Sequence, residues 1–205
     1  MKPLLIIGCG RSATKYITKV LKIGGVQIGH ERLGPEGMAS WLPVTKKRYK
    51  HPFRGDRYED FQKVYKVDPI IVHQVRTPIK VISSFQVASS RSWLYISRVE
   101  PKIKKDEPLI IRCMKYWLYW NLKAERMAEW TYPVEHLPSL WETFCEKIER
   151  PFLIDQKEQC LRSSKEENTR KEYYTLFKWK DLYDTDRNLT EKIKTLGRKY
   201  GYKIN

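Results

Sequence analysis

Cysteine is scarce in this chain, and its spacing is wrong for a metal site. The four cysteines in 205 residues (Cys9, Cys113, Cys145 and Cys160) form no Cys-x-x-Cys pair, so zinc is not expected. They read as reduced thiols, which points to a cytoplasmic setting. No apolar run approaches the ~20 residues that a bilayer crossing needs, and no secretory leader pattern precedes the first strand; no membrane span is expected. Internal repeats and low-complexity tracts are absent, and the length fits one domain over residues 1–205 with room for a real core. Acidic residues are in deficit, 24 against 40 Lys and Arg, for a formal charge of +16. That charge calls for an anionic ligand or a nucleic acid. The basic residues are scattered rather than gathered into one stripe, so nucleic acid is not the expected partner. The densest patch runs from Lys46 to Arg57, with Tyr49, His51 and Phe53 interleaved; it suits stacking on sugars or bases, or is a solvated loop.

The most informative stretch is Leu4 to Tyr16, Leu-Leu-Ile-Ile-Gly-Cys-Gly-Arg-Ser-Ala-Thr-Lys-Tyr. An apolar run breaks at Gly8 and Gly10. Arg11, Ser12, Thr14 and Lys15 follow, and then a helical pattern begins. A strand, a glycine turn and a helix N-terminus bring backbone N–H groups and the positive end of the helix dipole to one point, an anion site. Neither common nucleotide fingerprint is complete. The triphosphate loop lacks its second glycine, and its lysine falls one place late; the dinucleotide loop fails at Ala13.

A second segment, Asp68 to Phe85, repeats the pattern. Ile70 to Val75 reads as a strand with Arg76 at its carboxyl end, Thr77 as an N-cap and Pro78 as the first helical residue. Ser84 lies about two turns beyond Thr77 and returns to the same face. Arg76 and Ser84 are therefore placed to hold one phosphate between them; the plainer alternative is a surface ion pair and a helix-flank serine.

Taken together, the two segments resemble the sulfotransferases that use 3′-phosphoadenosine 5′-phosphosulfate (PAPS). Gly8, Arg11, Ser12 and Thr14 match that family's 5′-phosphosulfate loop. Val75, Arg76, Pro78 and Ser84 match, in order and spacing, its 3′-phosphate motif. Ala13 replaces the usual glycine, and Lys15 a frequent threonine. The match covers about the first ninety residues well. It implies a three-layer α/β/α domain around a parallel sheet, P-loop-like, with Gly8, Gly10, Arg11, Ser12, Ala13, Thr14, Lys15, Arg76 and Ser84 binding PAPS. It also implies transfer of a sulfuryl group to an acceptor hydroxyl, no required metal, and adenosine 3′,5′-bisphosphate (PAP) as product. Arg11 stands where the family places its catalytic cation. Lys165 and Arg170 are candidates for the basic segment that returns to the 3′-phosphate and adenine, though the family's fuller Arg-Lys-Gly form is absent and a solvated polar loop is the plainer reading.

A general base is needed, and Gly24 to Trp41 supplies candidates. Val26 to Ile28 reads as a short second strand with His30 and Glu31 just past it. Ligands in open parallel sheets sit outside the carboxyl ends of strands. Glu31 is the favoured base, His30 the second choice; the plainer alternative pairs Glu31 with Arg32. Ser40 and Trp41 are candidates to line the acceptor pocket. The acceptor expected is a carbohydrate or glycolipid, or another small molecule; oligomeric state is not legible. A P-loop nucleotide kinase, a nucleic-acid-binding module without catalysis, and a catalytically silent PAPS-fold protein stay open as rival readings.

Along the rest of the chain, Gly37 to Pro43 reads as helix or loop. The helix after Arg76 is expected to end near Ser90. Arg91 to Glu107 reads as polar and irregular, a lid over the acceptor. Leu109 to Trp130 is the clearest helix, with Trp117 and Trp120 as core. Thr131 to Val134 reads as a strand; Leu140 to Ile148 and Asn188 to Tyr200 read as helices.

Overall fold

The computed structural model describes residues 1–45, 63, 65–162 and 174–204. Five parallel strands, β1 (Leu4–Gly8), β2 (Gly29–His30), β3 (Gly37–Ser40), β4 (Ile70–Val75) and β5 (Trp130–Pro133), form one sheet in the order β2-β3-β1-β4-β5. In a strand, successive side chains point to opposite faces, and each face here meets its own core. Leu4, Ile6, Ile70 and Val72 pack with Ile17, Val20 and Leu21 of α1 (Thr14–Ile23). The same side holds Phe144 of α5 (Trp141–Lys147) and Cys160 of α6 (Lys157–Arg162). Leu5, Ile7, Ile71 and Val75 face the other side, where α2 (Pro78–Ser84), α3 (Ser90–Val99), α4 (Leu109–Glu125), α7 (Trp179–Thr185) and α8 (Arg187–Lys199) pack. The three-layer α/β/α architecture is as the sequence implies.

Several local expectations are corrected. Val26 to Ile28 is not a strand: the Val26 amide bonds the Leu21 carbonyl and the Ile28 amide the Val26 carbonyl, so the ladder starts only at Gly29. Gly37–Ser40 is a strand rather than helix or loop, held between β1 and β2 by pairing although Gly-Met-Ala-Ser has little strand preference of its own. Of the segment Arg91 to Glu107, only the part from Glu100 is irregular; up to Val99 it is helix. The Ser89 hydroxyl caps α3 by accepting from the Ser92 amide, and Trp93, Ile96 and Val99 bury one face of that helix. α2 ends at Ser84 in a 3-10 turn, Phe85–Val87, well short of Ser90. α4 stops at Glu125, and Trp130 already belongs to β5. Trp117 and Trp120 are core, both fully buried.

His73 and Gln74 interrupt an otherwise apolar central strand, and both are fully buried. Buried polar groups need partners. The Asn121 amide N–H donates to the Trp117 carbonyl, which turns its Oδ1 toward His73 Nε2 at 3.0 Å. His73 therefore carries its proton on Nε2, and Nδ1 accepts from the Thr131 hydroxyl at 3.2 Å. Burial pushes His73 down from 6.5 to about 4, outweighing the upward pull of the Asn121 bond. The folded chain thus refuses a proton that the unfolded chain takes up as pH falls from about 6.5. Stability is expected to decline through that window, by about 3 kcal/mol once pH approaches 4. Urea midpoints at neutral pH and near pH 4.5 check this; His73→Gln is expected to flatten the dependence.

Candidate functional site

The strands are all parallel, so their carboxyl ends share one edge of the sheet. Gly8 is level with Gln74, Ile7 with Ser40, His30 with Ala39 and Val75 with Pro133. From β1 the chain leaves toward β2 on one side; from β4 it leaves toward β5 on the other. The crevice at this reversal is where open α/β sheets bind ligands. α1 starts on one side of the crevice and α2 on the opposite side.

The loop between β1 and α1 has an unusual backbone. Arg11 (φ 72°) and Ala13 (φ 65°) are both left-handed, and Ser12 between them is not. Such alternation is the backbone pattern found in anion-binding nests, although here the Ser12 amide is already bonded to the Cys9 carbonyl. Ala13 thus adopts the geometry usually given to glycine, at a cost of roughly 1–2 kcal/mol. The loop carbonyls are turned inward and held. Cys9 accepts from the Ser12 amide at 3.1 Å and Ala13 from the Ile17 amide at 3.2 Å. Arg11 accepts from Arg76 Nη1 at 3.0 Å, and Ser12 from Gln74 Nε2. Gln74 is itself held by the Tyr132 hydroxyl at 2.6 Å. The N-terminus of α1 opens onto this loop, the end of a helix whose amides are not used by intrahelical bonds. Beside them the Ser12 hydroxyl is fully buried with no hydrogen-bond partner among the described residues, an expensive arrangement unless a ligand satisfies it. These features fit a phosphate group.

Arg76 brings the second motif to the first: its guanidinium reaches the main chain of the loop across 65 residues. Thr77 does not cap its own helix. Its amide (3.1 Å) and hydroxyl (2.6 Å) donate to Glu135 Oε1, and Tyr202 donates to Oε2 at 2.8 Å. Burial tends to raise the Glu135 carboxyl, but these donors win and hold it below its usual value. Ser84 is buried, and its hydroxyl donates to the Val81 carbonyl one turn back at 3.3 Å. Lys15 is exposed on the first turn of α1. Lys165, Arg170 and the Lys46–Arg57 patch lie outside the described residues.

On the β2–β3 side, His30 ends its strand and Glu31 follows in a left-handed conformation, φ 57°. Strain at a non-glycine residue persists only where its surroundings enforce it. Here the Ser40 hydroxyl donates to Glu31 Oε2 at 2.9 Å, and Ser40 in turn accepts from the Leu42 amide at 3.2 Å. His30 Nε2 is 3.1 Å from the Thr14 hydroxyl and 3.7 Å from Glu31 Oε1. Thr14, His30, Glu31 and Ser40 therefore run as one chain of contacts from the start of α1 to the end of β3. Trp41 follows directly, half-buried among Phe85, Tyr95, Tyr116 and Trp120.

Sequence reasoning missed Gln74, Tyr132 and Tyr116. Gln74 left a signal, a polar residue inside a central strand. Tyr116 left none, since its hydroxyl meets Gly10 across 106 residues. Among the described residues, no three His, Cys, Asp or Glu side chains gather in a way that suits a metal ion. No helix there is long and apolar enough to cross a membrane.

No protein-family model matches the chain, and no curated protein matches it by sequence. A solved structure does: the crystal structure of mouse sulfotransferase SULT7A1 complexed with PAP superimposes with a TM-score of 0.52 at 14% identity, covering 98% of this chain and 88% of that one. The fold is sulfotransferase-like, a central parallel sheet between two helical layers.

Proposed function

We propose that this protein is a PAPS-dependent sulfotransferase. The observation that carries the reading is the meeting of Arg76 with the Arg11–Ala13 loop at the reversal of strand order, where Arg76 Nη1 donates to the Arg11 carbonyl between the starts of two helices. The resemblance of both motifs and the fold shared with a sulfotransferase that binds PAP support it.

PAPS, when bound, supplies an activated sulfuryl group for transfer to an acceptor hydroxyl, with PAP as the leaving product. In this reading the β1–α1 loop and the Ser12 hydroxyl orient the 5′ end, and Arg76 holds the 3′-phosphate, with the Ser84 hydroxyl turning from the Val81 carbonyl to join it. Arg11, half-buried at the loop tip, offsets charge developing on the leaving oxygen. Lys15 adds cationic field from the first turn of α1. Glu31 accepts the acceptor's proton, held in position by Ser40, while His30 bridges it to Thr14. A carboxylate base and a cationic crevice suit a carbohydrate or glycolipid hydroxyl.

The cheapest test is thermal unfolding with PAP against ATP. PAP is expected to raise the midpoint clearly and ATP only slightly; equal shifts overturn the reading. Arg76→Ala removes a charge-assisted contact and is expected to weaken PAP binding about 10–100-fold by calorimetry. Wild-type affinity in that variant removes Arg76 from the site.

A further inference from the structure

We propose that Tyr116 is a positioning residue for the phosphate-binding loop, a role that rests on the sulfotransferase reading for its functional meaning. Tyr116 lies in the middle of α4 and is fully buried. Its hydroxyl accepts the Gly10 amide N–H at 2.7 Å. Its ring stacks on Phe85, centroids 4.0 Å apart, and sits 5.1 Å from Trp120. Burial pushes the phenol well above its ordinary value, so it stays neutral at any working pH. A neutral phenol oxygen accepts from the amide without setting a negative charge behind the loop, as a phenolate would.

Two consequences follow for the loop. The Gly10 amide points into the protein and is not available to an anion. The close fit also leaves no slack: a Cβ on Gly10 would lie 2.9 Å from Phe85 and 3.2 Å from the Tyr116 hydroxyl. The turn at Arg11 is thereby fixed from behind by Tyr116, as Gln74 and Arg76 fix it from the β4 side. The same ring touches Trp41, the residue after Ser40, so the donor loop and the Glu31 side share one rigid backing.

Two variants separate positioning from plain packing. Tyr116→Phe keeps the ring and drops the hydroxyl; Phe85→Leu keeps the hydroxyl and loosens the stack. Tyr116→Phe is expected to weaken PAP binding about tenfold, whereas Phe85→Leu lowers the unfolding midpoint but holds the dissociation constant within about twofold. Hydrogen exchange of the Gly10 amide by NMR gives a readout that needs no nucleotide: it is expected to be slow in the wild type and in Phe85→Leu, and about tenfold faster in Tyr116→Phe. Affinity losses that simply track stability in both variants overturn the proposal, as does a Gly10 amide that stays equally protected in Tyr116→Phe. A wild-type protein that fails to bind PAP refutes the sulfotransferase reading instead, and the exchange comparison then decides Tyr116's hold on the loop by itself.

Discussion

Replacing Glu31 by glutamine is expected to lower sulfuryl transfer by about 10²–10⁴ while leaving PAP affinity within about twofold. The substitution is nearly isosteric. A glutamine there can still accept the Ser40 hydroxyl through its amide oxygen, and the left-handed backbone at this position suits it no worse than glutamate. What disappears is the capacity to take a proton from the acceptor. The loss should therefore fall on the turnover rate and not on nucleotide binding. Acceptors found by a mass gain of one sulfuryl group provide the assay. A glutamine variant that transfers at the normal rate removes Glu31 as base and passes the role to His30, which holds Thr14 at 3.1 Å and lies beside the same carboxylate.

Gly37→Ala should have the largest effect on folding. Gly37 has φ 130°, a conformation that side chains rarely adopt, and it pairs with Leu4 at the centre of the sheet. A Cβ there would lie 1.9 Å from the Leu4 carbonyl oxygen and 2.7 Å from the Leu4 nitrogen. Both are backbone atoms that no rotamer change can move aside. The strain and the broken β1–β3 rung together should remove about 4 kcal/mol or more. That is a large part of the 5–15 kcal/mol typical of a domain. Circular dichroism during urea unfolding checks it, and an unchanged midpoint contradicts the packing described for the β1–β3 pair.

How much of this was readable in advance depended on where the information lay. β4 was legible because Ile70 to Val75 is rich in β-branched residues and is closed by Thr77-Pro78. The turn between β1 and α1 was legible because two glycines interrupt an apolar run. β3 was hidden: Gly-Met-Ala-Ser becomes a strand only because Leu4 to Ile7 pairs with it. α3 was masked by Arg91, Ser92, Ser97 and Arg98, although Trp93, Ile96 and Val99 already had helical spacing. Within the site, Arg76 and Glu31 could be named because charged residues stand out at strand ends. That Arg76 bonds a loop carbonyl, that Ser84 turns to its own helix, and that Tyr116 backs Gly10 are contacts between distant segments, which no local pattern encodes.

The crevice at the reversal of strand order has one more consequence. Its two walls begin helices that belong to opposite layers, α1 with one core and α2 with the other. Any molecule gripped by both walls acts as a strut across the seam between two otherwise separate hydrophobic halves. Unfolding either half would have to release it. Occupancy should therefore stiffen the whole molecule rather than one loop, with protection against proteolysis growing as the logarithm of ligand concentration.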